Sequence, residues 1–362
     1  MSDKKIAIIG SVGVPASYGG FETLCDNLVR FHASEHLDDS LTVFCSSKHY
    51  LVQRKFYLKA KLKYIPLSAN GVSSIPYDIW SLIVSIWSRS DVILLLGVSG
   101  ALALPLVRLL SSARIVTNID GIEWRREKWK GLAKHYLRFS EKLAVLFSHD
   151  VVADNSVIGD YVKRTYDVDS HVIAYGGDHA MSVERDSIAN FNLPSSYAFS
   201  VCRIEPENNI HIILDAFSRT PSKSIVIIGN WDSSEYGLNL KIKYRDFTNL
   251  ILLNPVYELS KLKTFRQNAS YIIHGHSAGG TNPTLVEAMH FGKIILAFDC
   301  DFNRSTTENK ALYFKDSNDL LALIHACDLQ KFENIEAFMK EIAERRYTWH
   351  IVAQQYFSLM SS

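Results

Sequence analysis

What most constrains this chain is an alternation that runs its whole length and restarts near the middle. Short apolar, β-branched runs, KKIAIIG (4–10), LTVFCSS (41–47), KYIPL (63–67), DVILLLG (91–97), ARIVTNID (113–120), DVVADN (150–155) and HVIAYG (171–176), are separated by stretches with helical spacing. After residue 180 the series begins again with YAFSVC (197–202), SIVIIGN (224–230), LILLNPV (250–256), YIIHGH (271–276), KIILAFD (293–299) and ALYF (311–314). A strand that is apolar throughout, set between helices, must be covered on both faces, which means parallel sheet. At 362 residues the chain exceeds one ordinary core.

The sequence therefore predicts an α/β chain of two doubly wound, Rossmann-like domains facing each other across a cleft. The first is expected over 1–180 and the second over 181–345, with the polar segment 178–196 as linker. Helices are expected at 20–33, 131–147, 208–218, 283–291 and 331–345, and an amphipathic helix within 346–362 is expected to pack back across the join. Open parallel sheets bind ligands outside the carboxyl ends of their strands, so function is sought in the loops there.

Apolar residues at 47% and charged residues at 21% describe a soluble globular protein, and a net charge of +1 gives no reason to expect a nucleic-acid partner. Cys25, Cys45, Cys202, Cys300 and Cys327 stand far apart with no CxxC pair, and the first four sit in or beside apolar elements; a reduced, cytoplasmic protein is expected. MSDKKIAIIG lacks the long apolar stretch and cleavage site of a signal peptide. VILLLGVSGALALPLVRLL (92–110) is interrupted by Gly97, Gly100 and Pro105 and reads as a buried strand, a turn and a buried helix rather than a membrane span.

Two glycine-rich loops follow strands. In GSVGVPASYGGFETLCDNLVRF the apolar positions Phe21, Leu24, Cys25, Leu28 and Phe31 start a helix near Gly20, after a long loop ending in Gly19. Amides at such a helix start suit a phosphate or a sugar hydroxyl. The dinucleotide fingerprint is absent: Gly10 and Gly13 are wrongly spaced, and strand two ends in Cys45-Ser46-Ser47 without a carboxylate. No GxxxxGK[ST] loop occurs. In the second loop, HSAGGTNPTLVEAM, Asn282 is a good N-cap and Pro283 suits the first helical position, while Gly279 and Gly280 let the backbone approach a ligand. Glu287, one turn inside, can accept bonds from two ribose hydroxyls; the plain alternative is an acid complementing the helix dipole.

GSVGVPASYGGFET, NIDGIEWRREKW, ADNSVIGDYV, AYGGD, RIEPENN and HSAGGTNPTLVEAM together resemble the family-4 retaining glycosyltransferases, and most of all the bacterial rhamnosyltransferase branch of surface-polysaccharide assembly. The resemblance spans nearly the whole chain. It implies a GT-B fold, a nucleotide-sugar donor held by the C-terminal domain, and an acceptor held by the N-terminal domain. Glu287 matches the second glutamate of the family's E-x7-E motif, the ribose ligand, while the first falls at Gly279, a departure that leaves Gly280 and Thr281 amides to contact the sugar. Arg203 matches the arginine that pairs with the donor diphosphate; the usual lysine after it falls at Asn208. Both departures are shared with the rhamnosyltransferase branch, which points to dTDP-L-rhamnose as donor.

Sugar transfer requires charge stabilisation on the leaving diphosphate and a positioned acceptor hydroxyl. Arg203, the amides of residues 279–282 and the Gly19-Gly20 turn are expected to supply the first without a metal, since no DxD pair sits in a suitable loop; Asp167 and Asp169 flank a short turn and are expected to face solvent. Asp120, Asp154 and Tyr175, at carboxyl ends of strands, are the candidates to orient the acceptor or stabilise the oxocarbenium-like centre. For the acids the structural alternative is a helix cap or a salt bridge. Glu22 is a candidate for a sugar hydroxyl and His276 for the donor sugar.

KHYLVQRKFYLKAKLKY (48–64) carries Lys48, Arg54, Lys55, Lys59, Lys61 and Lys63 and no acid, and WRREKWKGLAKHYLR (124–138) sets Trp124, Arg125 and Trp129 among further cations. Basic residues interleaved with aromatics suit an anionic bilayer. The expected partners are thus a nucleotide-sugar donor, a polyprenyl-diphosphate-linked sugar acceptor and the inner-membrane surface, with peripheral attachment at the cytoplasmic face. A sugar-nucleotide-binding regulator without turnover, or an epimerase that uses no acceptor, are the alternatives; nucleotide binding without transfer marks the first, and release of free sugar or nucleotide with no acceptor marks the second.

Overall fold

The computed structural model describes residues 4–16, 19–125, 129, 131–328, 332 and 334–361. The chain forms two compact units, Met1–Ala174 with Trp349–Ser362, and Tyr175–Thr348.

The first unit runs β1 (Lys5–Ile9), α1 (Gly20–Ser34), β2 (Ser40–Ser46), β3 (Phe56–Tyr57), β4 (Ala60–Ile65), α2 (Ser74–Trp87), β5 (Val92–Leu96), α3 (Leu104–Leu110), β6 (Arg114–Asn118), α4 (Gly131–Phe147), β7 (Asp150–Ala153), α5 (Ser156–Tyr166) and β8 (His171–Val172). Its sheet order is β3-β4-β2-β1-β5-β6-β7-β8, parallel except for the β3–β4 pair. β1 and β5 are apolar along nearly their whole length and are buried, as strands covered on both faces must be.

The second unit runs α6 (His179–Ser182), β9 (Ala198–Val201), α7 (Ile210–Ser218), β10 (Ile225–Ile228), α8 (Glu235–Tyr244), β11 (Leu250–Leu253), α9 (Leu259–Asn268), β12 (Tyr271–His274), α10 (Pro283–Met289), β13 (Ile295–Phe298), α11 (Asp301–Thr306), β14 (Leu312–Phe314), α12 (Ser317–Asp328) and α13 (Ile335–Arg346). All its strands are parallel, in the order β11-β10-β9-β12-β13-β14. The pleat divides the core: Ile225 and Ile227 join Leu214, Phe217, Leu240 and Ile324 on one face, and Val226 and Ile228 join Phe199, Leu262 and Phe265 on the other. Each such side chain, fully buried, contributes about 1.5–3 kcal/mol.

Two expectations need adjustment, and the closing helix can be placed. The polar segment 178–196 is tied to the second unit. Lys263 Nζ donates to the Met181 and Val183 carbonyls at 2.8 Å each, Thr264 Oγ1 donates to the Asp186 carbonyl at 2.8 Å, and the Phe191 ring packs edge-on against Phe265. The closing helix α14 (Trp349–Ser361) folds with the first unit, where Phe357 stacks on Phe31 of α1 with centroids 5.6 Å apart. Finally, the helix of the 92–110 segment is buried on one side only: Leu104 and Val107 face inward, while α3 presents Leu106, Leu109 and Leu110 to solvent.

Candidate functional site

In each unit the strand order reverses at one place. β1 sends the chain outward through β2 on one side and receives β5 on the other; β9 does the same with β10 and β12. Loops leaving the two central strands diverge at such a point and leave a crevice at the carboxyl edge, where doubly wound sheets take their ligands. The RIEPENN and HSAGGTNP loops are the ones that follow β9 and β12, and the first glycine loop follows β1.

The two loops of the second unit are stitched together. Asn208 Nδ2 donates to the Arg203 carbonyl at 2.8 Å while its Oδ1 meets His276 Nδ1 at 2.9 Å. Asn209 Nδ2 reaches the Gly275 carbonyl at 2.8 Å, and Ser277 donates its N–H and its hydroxyl to the Glu207 carbonyl, each at 2.9 Å. The approach is so close that a Cβ at Gly275 would lie 2.1 Å from the Asn208 carbonyl oxygen. Asn303 Nδ2, from α11, holds the His276 carbonyl at 2.8 Å. Asn282 caps α10 as expected, its Oδ1 accepting from Thr284 N at 3.0 Å, with Pro283 at the first helical position. Gly279 turns at φ 101°, Gly280 is half-buried beside it, and Thr281 is buried. Arg203 is 41% exposed, its guanidinium 3.5 Å from Glu205 and 3.8 Å from Glu207. Those separations exceed the 2.7–2.9 Å of a tight charge-assisted bond, so the guanidinium is not locked in place.

Glu287, the expected ribose ligand, is held by two side chains of its own unit. Its Oε2 accepts from Arg266 Nη2 in an ion pair, and its Oε1 lies 3.4 Å from His179 Nε2. Burial drives the Glu287 carboxyl up, but Arg266 and His179 outweigh it and hold the group below the ordinary glutamate value. The Arg266 side chain is 2% exposed and lies over the Phe291 ring. The carboxylate is therefore already committed on one oxygen. Its other oxygen faces the His179 ring. Gly177 of AYGGD packs against the Val286–Glu287 backbone, which sets buried Tyr175 at the start of this unit.

In the first unit the glycine loop is closed by its own acid. Glu22 Oε1 accepts the Val12 N–H at 2.8 Å, and a Cβ at Gly19 would fall 1.9 Å from Glu22 Oε2, so only glycine, here at φ 127°, fits. Gly20 opens α1. A carboxylate folded into the loop repels a phosphate and suits a hydroxyl better. Asp120 and Asp154 follow the adjacent strands β6 and β7. Asp154 is buried, and the cap of α5 is its neighbour Asn155, which accepts Val157 N at 3.0 Å. Asp120 adopts φ 59° and donates its N–H to Asn118 Oδ1 at 2.7 Å. Asn118 Nδ2 in turn donates to the Tyr356 hydroxyl at 2.6 Å, and burial, with the charges of Asp154 and Asp120, pushes that phenol far up.

On the surface, Lys55, Lys59 and Lys61 are exposed around the β3–β4 hairpin, with Lys59 Nζ 3.1 Å from His36 Nδ1. Trp124 is ringed by Arg125, Lys134 and Arg138, each 5.2–5.7 Å from its ring. Arg126, Lys128 and Lys130 of that stretch lie outside the described residues. Asp167 and Asp169 are solvent-exposed, each 3.2 Å from Lys163. Among the described residues no cluster of three His, Cys, Asp or Glu is placed to hold a metal, and no helix is long and apolar enough to cross a membrane. A cavity of about 420 Å³ opens beyond β11 between Phe191, Asn254, Pro255, Val256, Glu258 and Lys261.

Arg266, His179, Asn303 and Tyr356 escaped the sequence reading. Arg266 stands beside Phe265 on the buried side of an otherwise polar helix, and a cation in that register demands an anion. The others join across long sequence separations that periodicity does not report.

Residues 184–336 match the family described as glycosyl transferases group 1, and residues 3–178 match a domain of unknown function, DUF1972. No curated protein matches the sequence. Among solved structures the chain is similar to sucrose-phosphate synthase from Thermosynechococcus elongatus, with a TM-score of 0.80 and 14% identity over 98% of both chains. It is similar to HepE of Anabaena in complex with UDP, with a TM-score of 0.73 and 15% identity over 99% of both chains. It is also similar to the catalytic domain of starch synthase IV from Arabidopsis thaliana bound to ADP and acarbose, with a TM-score of 0.66 and 14% identity over 99% of both chains. The shared fold is GT-B, built of two Rossmann-like domains.

Proposed function

We propose that this chain, a glycosyltransferase of GT-B architecture, moves L-rhamnose with retention from dTDP-rhamnose to a lipid-diphosphate-linked sugar during O-antigen, capsule or cell-wall polysaccharide assembly at the cytoplasmic face of the inner membrane. The observation that carries the reading is the junction of RIEPENN with HSAGGTNP at the strand-order reversal of the second unit, tied by Asn208. A loosely held arginine beside a glycine loop suits a diphosphate that must be bound and then released. HepE has been solved with UDP, with UDP and glucose and with UDP-glucose, which supports a nucleotide-sugar donor for the same fold. The cavity beyond β11 shares the carboxyl edge with that junction and suits the nucleoside.

In this reading Arg203, with amides of Gly279, Gly280 and Thr281, takes up charge on the departing diphosphate, and His276 contacts the sugar. Glu287 keeps its Oε1 edge for a ribose hydroxyl while Arg266 fixes its other oxygen. Glu22 accepts a sugar hydroxyl, and Asp154, Asp120 and Tyr175 serve the acceptor and the positive centre. Trp124, Arg125, Lys55, Lys59 and Lys61 supply the basic, aromatic surface toward anionic lipid.

The reading is tested by a panel of nucleotide sugars offered with a lipid-linked N-acetylglucosamine acceptor and followed by mass change. Addition of one deoxyhexose is the expected result; nucleotide binding with no transfer to any acceptor would favour a silent regulator. Transfer is expected to persist undiminished in a strong chelator, and a loss restored by Mg²⁺ or Mn²⁺ would assign the charge stabilisation to a metal. Asp154→Asn is expected to lower turnover about 10²- to 10⁴-fold with an unchanged circular-dichroism melt; full activity would return Asp154 to a structural role.

A further inference from the structure

The crossovers β4-α2-β5, β5-α3-β6 and β6-α4-β7 all step the same way along the first sheet, so right-handedness puts α2, α3 and α4 on one face, where they touch in succession. Their outward surfaces are unusual. Trp80 and Trp87, two turns apart on α2, pack edge to face with centroids 6.2 Å apart, and Trp87 is 70% exposed. Leu106, Leu109 and Leu110 stand out from α3, and Leu132, Phe139 and Leu146 from α4, with Leu109 80% and Leu132 90% exposed.

The charge on this face has one sign. Arg108, Lys134, Arg138 and Lys142 are exposed, whereas the acids of the three helices are turned inward: Asp78 is buried in α2, and Glu141 of α4 accepts the Tyr161 and Tyr166 hydroxyls. Asp91, just past α2, is engaged by the Lys5 N–H. We infer that the α2–α3–α4 face is a docking surface for an anionic phospholipid bilayer, with Trp80, Trp87, Leu109 and Leu132 entering the interface and the four cations meeting phosphate headgroups.

Tryptophans beside aliphatic side chains, fringed by cations, match the layering of a bilayer surface. A second copy of the chain fits worse, because a two-fold contact would set these cations against each other with no acid between them. The inference deepens the proposed use of a lipid-linked acceptor and rests on that reading for its purpose, though its geometry stands alone.

Flotation of the full chain with phosphatidylglycerol-containing vesicles and with phosphatidylcholine vesicles tests it. The wild type is expected to float with the anionic vesicles, more weakly with the neutral ones, and with a blue shift of tryptophan emission. Trp87→Ser with Leu109→Ser is expected to reduce the partition at least about tenfold while transfer to a detergent-dispersed acceptor and the thermal melt stay unchanged. Arg108→Glu with Lys142→Glu is expected to reduce it by about tenfold, an effect that fades in high salt. Flotation unaffected by either pair, or a wild-type dimer dissociated by the serine pair and indifferent to vesicles, would overturn the inference. Absence of transfer from an enzyme that still floats would instead count against the functional reading.

Discussion

Arg203→Ala is expected to lower kcat/KM for the sugar donor by about 10²- to 10³-fold, the loss that follows removal of one preorganised donor to a developing negative charge. The fold should not notice. Arg203 is 41% exposed, and its contacts with Glu205 and Glu207 at 3.5 and 3.8 Å are surface pairs, worth about 0–1 kcal/mol. Arg203→Lys should recover only part of the loss, since a point charge replaces a fork suited to two phosphate oxygens. Titration with the nucleotide sugar and steady-state transfer give the readout together. Donor affinity and turnover equal to wild type in Arg203→Ala would remove this arginine from the diphosphate site.

Glu287→Gln is expected to cost about 3–5 kcal/mol of folding stability, because it strips the counter-charge from an arginine that is 2% exposed. Arg266→Met should cost a similar amount by stranding the carboxylate. The double variant, Arg266→Met with Glu287→Leu, should regain most of the loss, since an apolar pair of fitting volume needs no counter-charge. Urea unfolding across the cycle measures this. The pH dependence follows from the depressed carboxyl of Glu287. A carboxyl held below its unfolded value, about 4.3, stabilises fully above that pH and loses its contribution as pH falls through the folded value. Wild type and Glu287→Gln should therefore differ most near neutrality and begin to converge only as pH falls below about 4.3, the unfolded value. A single-variant cost under about 1 kcal/mol would show the pair to be incidental.

The strands were legible from the sequence because the signal is local. Fully apolar runs such as VILLL and IVII require cover on both faces, and each expected strand contains or overlaps an observed one. The cap at Asn282 and the start of α1 at Gly20 were legible for the same reason. The apolar helix over Leu104–Leu110 was read as buried all round, though only Leu104 and Val107 are, because composition reports what a side chain prefers, while exposure depends on whether another layer covers it. Periodicity likewise placed Glu287 at the front of a helix but carried no word of Arg266, 21 residues earlier, or of His179. Asn208, met first as a missing lysine, turned out to join the two loops of the candidate site. The polar segment 178–196 looked like a tether because its bonds to α9 run through backbone carbonyls, which any residue can offer.

The first unit is discontinuous: α14 returns to lie on α1, Lys4 Nζ donates to the Ser361 carbonyl at 2.6 Å, and Tyr356 completes the hydrogen bond of Asn118. On the ribosome, then, the domain translated first is the one finished last. Its sheet can form as it emerges, but the flank of α1 and the side-chain amide of Asn118 wait until synthesis has passed Ser361, after the entire intervening domain has been made.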